Sequence, residues 1–207
     1  MPEFNDAQQF WDERFDTPDY IFGRTANVFL TQEAHRLARG STVLDVACGE
    51  GRNAVWLAEQ GHAVHAFDVS PLALAKARRL SQDRGVSVQW SQADVRSWPW
   101  RPEAYDAIVC IFIQFASPQE RSRLFDGFRT SLKPGGLVLM QGYTPKQLEY
   151  RTGGPGDVAH LYTPELLQEA FREFDLLRLE AHEADLAEGT KHVGRSALID
   201  LVARRKD

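Results

Sequence analysis

One stretch constrains this chain more than any other. The short apolar run Thr42-Val43-Leu44-Asp45-Val46 opens into Gly49-Glu50-Gly51-Arg52-Asn53-Ala54, and a helical pattern (Val55, Leu57, Ala58) follows, ending at Gly61. A strand, a glycine turn and a helix in that order fit the G-x-G-x-x-G/A form of a doubly wound sheet. Such sheets bind ligands beyond the carboxyl ends of the strands, against a helix N-terminus.

The rest of the chain repeats the alternation. Ala63–Phe67 reads as a second strand, and Ser70-Pro71 starts a helix to about Asp83 with an N-cap and a proline at its first position. Val86–Trp90 is a third strand. Ala107–Ile113, apolar throughout, is a fourth, covered on both faces. Ser117-Pro118 begins a helix that ends before Lys133-Pro134-Gly135-Gly136, and Leu137–Gln141 is a fifth strand. Thr163-Pro164-Glu165 caps a helix to about Phe174. Two last strands, Leu176–Glu183 and Ala197–Ala203, have only the polar segment Ala184–Ser196 between them, so they pair antiparallel. The expected fold class is α/β: a Rossmann-like, doubly wound, seven-stranded and mostly parallel sheet with an antiparallel last strand. Asn5–Phe15 is an amphipathic helix with Phe10, Trp11 and Phe15 near one face, followed by Tyr20-Ile21-Phe22-Gly23. Residues 1–30 form a helical cap, and 40–207 the core of a single domain spanning 1–207.

At 207 residues the length suits about one domain. The net charge of −5 opposes a nucleic-acid role, which needs a basic face. The longest apolar run is the seven residues Ala107–Ile113, so no membrane span is expected, and Met1–Asp6 is too acidic for a signal peptide. Cys48 and Cys110 form no CxxC pair, which suits a reducing cytoplasm. Cys48 reads as a small residue under the loop and Cys110 as core. No His, Cys and carboxylate set has metal-ligand spacing.

Charge narrows the ligand of the glycine loop. Asp45 at the strand end and Glu50 inside the loop would repel a pyrophosphate, which argues against a dinucleotide. A ligand with a sulfonium, an ammonium and a carboxylate suits the loop better. Asp68, 17 residues after Gly51, is placed to accept from ribose hydroxyls. Asp94 is placed to accept from an adenine amine.

These residues resemble the motifs of class I S-adenosylmethionine-dependent methyltransferases. Val43–Gly51 resembles the first motif, Phe67-Asp68 the second and Asp94-Val95 the third. Tyr105–Val109 and Leu132–Gly136 resemble the fourth strand and the turn before the fifth. The resemblance covers residues 42–142. It implies S-adenosylmethionine as cofactor, S-adenosylhomocysteine as product, and contacts from Asp45, Ala47, Gly49, Gly51, Asn53, Asp68, Val69, Asp94, Val95 and Ile111. A narrower resemblance joins Cys48–Asn53, Trp11…Arg14-Phe15 and Glu188-Gly189…His192…Arg195 to the tellurite-resistance (TehB-like) group of small-molecule methyltransferases. Phe22 and Ala26 stand where that group often has a second Tyr and a Pro.

A sulfonium-bound methyl is electrophilic without protein help, so alignment and exclusion of water are what the fold must supply. Ile111–Phe115 lacks the Asn/Asp-Pro-Pro-Tyr pattern of amine methylation in nucleic acid or glutamine. Three residues are candidates on the acceptor side: His192 as general base, Tyr143 as hydrogen-bond partner of the nucleophile, and Arg195 as receptor of an anionic substrate. The expected partner is a small molecule, with no nucleic acid and no membrane, and the chain a monomer or homodimer. Tellurite, thiols, halides and hydroxylated metabolites remain open as acceptors. The alternatives are a non-catalytic S-adenosylmethionine-binding protein and a nicotinamide-dependent oxidoreductase.

Overall fold

The computed structural model describes residues 4–206. The expectation about the first residues of the chain falls partly on Met1–Glu3, which lie outside that range. In chain order the elements are α1 (Phe4–Phe15), α2 (Val28–Glu33), β1 (Thr42–Val46), α3 (Arg52–Glu59), β2 (Ala63–Asp68), α4 (Pro71–Asp83), β3 (Gln89–Gln92) and β4 (Tyr105–Ile111). They continue with α5 (Pro118–Ser131), β5 (Leu132–Tyr143), α6 (Gln147–Tyr150), α7 (Pro164–Ala170), β6 (Phe174–Glu188) and β7 (His192–Arg205). The seven strands form one sheet in the order β3-β2-β1-β4-β5-β7-β6. Strands β1 to β5 pair in parallel, and β7 runs antiparallel to both β5 and β6. The order reverses between β1 and β4. A crevice opens there, beyond the strands' carboxyl ends.

Alternation along the strands explains the two-sided core. Leu44 and Val46 face one side with Ile108, Cys110, Val138 and Met140, under α5 and α7. Val43 faces the other with Ala107, Val109 and Leu139, under Phe29, Leu30, Ala54 and Leu57. Asp45 sits on the Val43 face one residue before the strand ends, so its carboxylate reaches the start of α3. The expected caps are present. Ser70 Oγ accepts from the Ala73 N–H at 3.1 Å, Ser117 and Glu120 form a capping box, and Thr163 Oγ1 accepts from Leu166 at 3.2 Å.

Several boundaries differ from those the sequence suggests. β3 begins only at Gln89, because Val86 turns back to give its N–H to Ser81. β4 stops at Ile111, because Phe112 takes φ 58° and leaves the strand direction. β5 begins at Leu132, which pairs with Tyr105 before an irregularity in the ladder. α7 ends at Ala170, so that Phe171 and Phe174 can pack in the core. The largest difference is the segment Ala184–Ser196. It is a continuation of β6 and β7 as a long hairpin, paired out to Glu188↔His192, with a turn at Gly189-Thr190-Lys191.

That turn interlocks with the cap. Ile21 O accepts from the N–H groups of Thr190 (2.8 Å) and Lys191 (3.2 Å). A Cβ on Gly189 would stand 2.3 Å from Ile21 O, so only glycine allows the approach. No helix among the described residues is long and apolar enough to cross a membrane.

Candidate functional site

A cavity of about 660 Å³ fills the crevice. Its floor is the β1–α3 loop with the ends of β2 and β4. Its walls are α1, the cap residues Ile21–Gly23, the loop Gly153–Asp157 and the hairpin turn. Such a volume is within the range for a small-molecule site. Among the expected cofactor residues, Asp45, Ala47, Gly49, Asn53, Asp68, Val69, Asp94, Val95 and Ile111 line it. Gly51 does not. A Cβ there would lie 2.7 Å from Ala77 Cβ and 2.8 Å from a Trp90 ring atom, so Gly51 serves the packing of α3 against α4 and β3.

Each strand-end acid has a distinct environment. Asp45, 2% exposed, takes the Ala54 N–H, but its Oδ2 has no partner, and burial pushes its pKa up to about 7. Asp68 accepts from the N–H groups of Gly49 (2.8 Å) and Ser70 (2.9 Å), and burial raises it to about 6. Asp94 is gripped by Arg96 through Nε (2.9 Å) and Nη2 (2.8 Å). Although burial opposes the charged form, that grip holds its carboxylate below the usual range.

Glu50 borders the cavity, but its carboxylate is bonded to the cap. Its oxygens accept from the N–H groups of Ile21 (3.2 Å) and Phe22 (3.1 Å), and Lys76 Nζ lies 2.9 Å away. It fastens the cap to the loop. Asn53 helps, its Oδ1 accepting from Asn27 N–H at 3.0 Å.

The residue that sequence reasoning missed is Arg52, the first residue of α3. It is 7% exposed and lines the cavity. Its Nη2 pairs with Glu188 at 2.7 Å and its Nη1 has no partner. The signal was an arginine at a helix N-terminus, where the dipole disfavours positive charge.

The expected acceptor residues divide. His192 and Tyr143 meet at the far end of the cavity. The His192 ring lies 4.6 Å from Phe22, 4.5 Å from Phe112 and 6.0 Å from Tyr143. His192 is buried and burial lowers its pKa, so it is neutral at pH 7. Its Nδ1 has no hydrogen-bond partner. Burial raises the Tyr143 phenol, which therefore stays protonated, and its OH is also unpartnered. His160 lines the same end with an unpartnered Nδ1. Arg195 does not join them. Its side chain is 50% exposed, pairs with Glu183 at 3.0 Å, and lines no part of the cavity. It lies on the opposite side of β7 from an inward-facing neighbour, as strand alternation dictates.

Trp98 is a core residue, and Trp100 is half-buried against the core. Trp98 stacks on Phe67 at 4.1 Å, and Trp100 packs edge-on against Phe128. Cys48 borders the cavity as a thiol that burial keeps protonated, and Cys110 is fully buried.

A seven-stranded sheet with a reversed β7, acidic ends on β1 and β2, and a cavity at the switch point define the class I methyltransferase fold. The comparisons with known proteins agree. Residues 43–136 match the family described as a methyltransferase domain. The chain is 34% identical over 108 residues to the ubiquinone biosynthesis O-methyltransferase of Paraburkholderia xenovorans (strain LB400). That match covers 52% of this chain and 46% of the relative. The chain thus spans about half the length of the curated relatives it matches. Among solved structures, TehB from Haemophilus influenzae superposes with a TM-score of 0.72 at 16% identity, covering 97% of this chain and 67% of that one. The N-methyltransferase NodS from Bradyrhizobium japonicum WM9, in complex with S-adenosyl-L-homocysteine, gives 0.72 at 16% identity, covering 97% and 99%.

The residues lining the cavity fit S-adenosylmethionine on their own chemistry. Asp45 Oδ2 and Arg52 Nη1, one on an acid and the other on a guanidinium, are buried and without partners. Together they complement an ammonium and a carboxylate on one ligand. Gly49, at φ 55°, leaves its Cβ position open except for a Phe15 ring atom at 3.7 Å.

Proposed function

We propose that the protein is an S-adenosylmethionine-dependent methyltransferase acting on a small molecule. The observation that carries this reading is the division of one cavity into two ends. One end has the unpartnered Asp45 and Arg52 atoms with Asp68 and Asp94. The other has the unpartnered Tyr143 hydroxyl and His160 Nδ1, with the buried His192 imidazole, among aromatic rings. Asp45 and Arg52 would hold the amino-acid end of the cofactor, Asp68 its ribose, and the Asp94–Val95 segment its adenine. When bound, that cofactor supplies a methyl group activated by the adjoining sulfonium.

The chain's own residues do the rest. Neutral His192 takes the proton released by a thiol or hydroxyl acceptor. Protonated Tyr143 donates a hydrogen bond to the nucleophilic atom. Phe22, Phe112 and Trp11 keep water away from the centre. A thiol or a chalcogen oxyanion such as tellurite is the acceptor class we favour. The far end of the cavity is rich in nitrogen and hydroxyl donors, and such nucleophiles need little beyond positioning. We place the enzyme in the cytoplasm as a single domain, working as monomer or homodimer, with residues 1–30 as its cap.

A thermal-shift series with S-adenosylmethionine, S-adenosylhomocysteine and nicotinamide dinucleotides is the first test. Ligand at about 100 times its Kd adds roughly 2.7 kcal/mol, or about 5–10 °C here. A shift with the adenosyl ligands alone is expected. A shift with dinucleotides alone would overturn the reading. Formation of S-adenosylhomocysteine with one of a panel of thiols, tellurite, halides and small alcohols then separates the enzyme from a non-catalytic cofactor-binding protein.

A further inference from the structure

Glu188 is the last residue of β6, 161 positions from Asn27 and 136 from Arg52, yet its carboxylate joins both. Oε1 accepts from Asn27 Nδ2 at 3.0 Å, and Oε2 accepts from Arg52 Nη2 at 2.7 Å. His192, across the hairpin turn, presents Nδ1 to the same Oε2 at 3.7 Å, an ion-pair distance slightly too long for a hydrogen bond. Asn27 is held in turn. Its Nδ2 also donates to Gln141 Oε1 at 2.8 Å, and Gln141 Nε2 donates to the buried Asp200 at 2.7 Å. The carboxylate therefore has a fixed place, set by the cap, the glycine-loop helix and β5 at once. The imidazole beside it is clamped by the Phe22 and Phe112 rings. Those rings offer no hydrogen bond, so Glu188 is the one anion available to orient His192 among the described residues that contact it.

We propose that Glu188 is the positioning residue of the acceptor end. It holds the His192 proton on Nδ1 and leaves Nε2 as the basic nitrogen, while Arg52 limits how strongly it does so. This rests on the reading of His192 as the base.

The opposing pulls have consistent signs. Desolvation opposes the Glu188 charge, but the Arg52 guanidinium bonded to it holds its carboxylate below the usual range. On His192, burial and Arg52 lower the pKa and Glu188 raises it. Tyr143, protonated, faces the ring from β5. Lys191 adjoins it in the turn, and His160 lines the same end of the cavity. A carboxylate this close favours the charged form of an imidazole.

The test is a ¹⁵N-histidine NMR titration of the full chain without ligand, with the His192 signal assigned by its loss in His192→Asn. The wild-type ring is expected in the Nδ1–H tautomer. Glu188→Gln should lower its pKa by about 1 unit and mix the tautomers. Arg52→Met should raise it by a similar amount, and Glu188→Asp should keep most of the wild-type value. A merely structural role would move both first variants in the same direction or neither. An unchanged tautomer and pKa in Glu188→Gln, an unchanged pKa in Arg52→Met, or a Glu188→Asp ring that behaves like that of Glu188→Gln overturns the proposal. The base reading fails separately, if turnover found in the acceptor screen survives His192→Ala with its pH profile intact.

Discussion

Burial holds the Asp45 carboxyl at about 7, against an ordinary value of 3.8. The folded chain then binds a proton that the unfolded chain has lost between those values. Stability from this group is greatest below pH 4 and falls as pH rises through 7. Asp45→Asn should therefore stabilise the ligand-free protein at pH 8 by about 1–2 kcal/mol after the cost of a buried amide, raising its melting temperature, and change it little at pH 4. The same variant should bind S-adenosylmethionine at least tenfold more weakly by calorimetry. Equal melts at pH 8 would show that the carboxylate is not strained by burial. Arg195 is the contrary case. Its guanidinium pairs with Glu183 and Asp185 at the surface, outside the cavity, so Arg195→Ala should leave cofactor affinity and turnover within about twofold. At this scale the sequence showed which acids end the strands. It did not show that Glu50, two residues along the loop from Cys48, is spent on cap amides, nor that Arg52 turns inward. Both depend on Ile21, Phe22 and Glu188, which are remote in the chain.

The glycine loop and the hairpin turn are the elements whose backbone decides the site. Gly51→Ala forces a Cβ to within 2.8 Å of both Ala77 and Trp90 at φ 83°, and we expect a loss of about 2–4 kcal/mol in denaturant unfolding. A loss under about 1 kcal/mol would mean that α3 and α4 can separate cheaply. Glu50→Ala removes the acceptor of two cap amides. Hydrogen exchange at Ile21 and Phe22 should quicken by tenfold or more, while β1 and β4 remain protected. Protection that persists at Ile21 and Phe22 would assign cap closure to the hairpin turn alone. Helix starts were readable because Ser-Pro and Thr-Pro pairs act within one turn of chain. The ends of β3, β4 and α7 were not. They are set by Gly85, by the φ 58° turn at Phe112 and by the packing of Phe171, none of which alters the local apolar pattern.

Across the whole molecule, the reversed β7 brings the site together. By running back beside β5 it carries Ala197 to Thr144 and His192 to the rings of Phe112 and Tyr143, and its hairpin partner carries Glu188 to Asn27 and Arg52. The chain's two ends thus close one cavity, so cofactor binding should protect the cap and the hairpin turn together. Mass-spectrometric hydrogen exchange with S-adenosylhomocysteine should show slower exchange in 7–23 and 186–193 at once. Protection confined to one of them would separate the cap from the hairpin. The sequence by itself determined the alternation of strands and helices, the glycine loop and the acidic strand ends. Each is written within a dozen residues, where periodicity, caps and turn chemistry act. The tertiary structure alone decided which carboxylates stay unpartnered, which arginine faces inward, and which of His192 and Arg195 lines the cavity. Those outcomes depend on contacts between residues remote in the chain, from 12 positions apart for Arg195 and Glu183 to 136 for Arg52 and Glu188, which exist only once the sheet has closed.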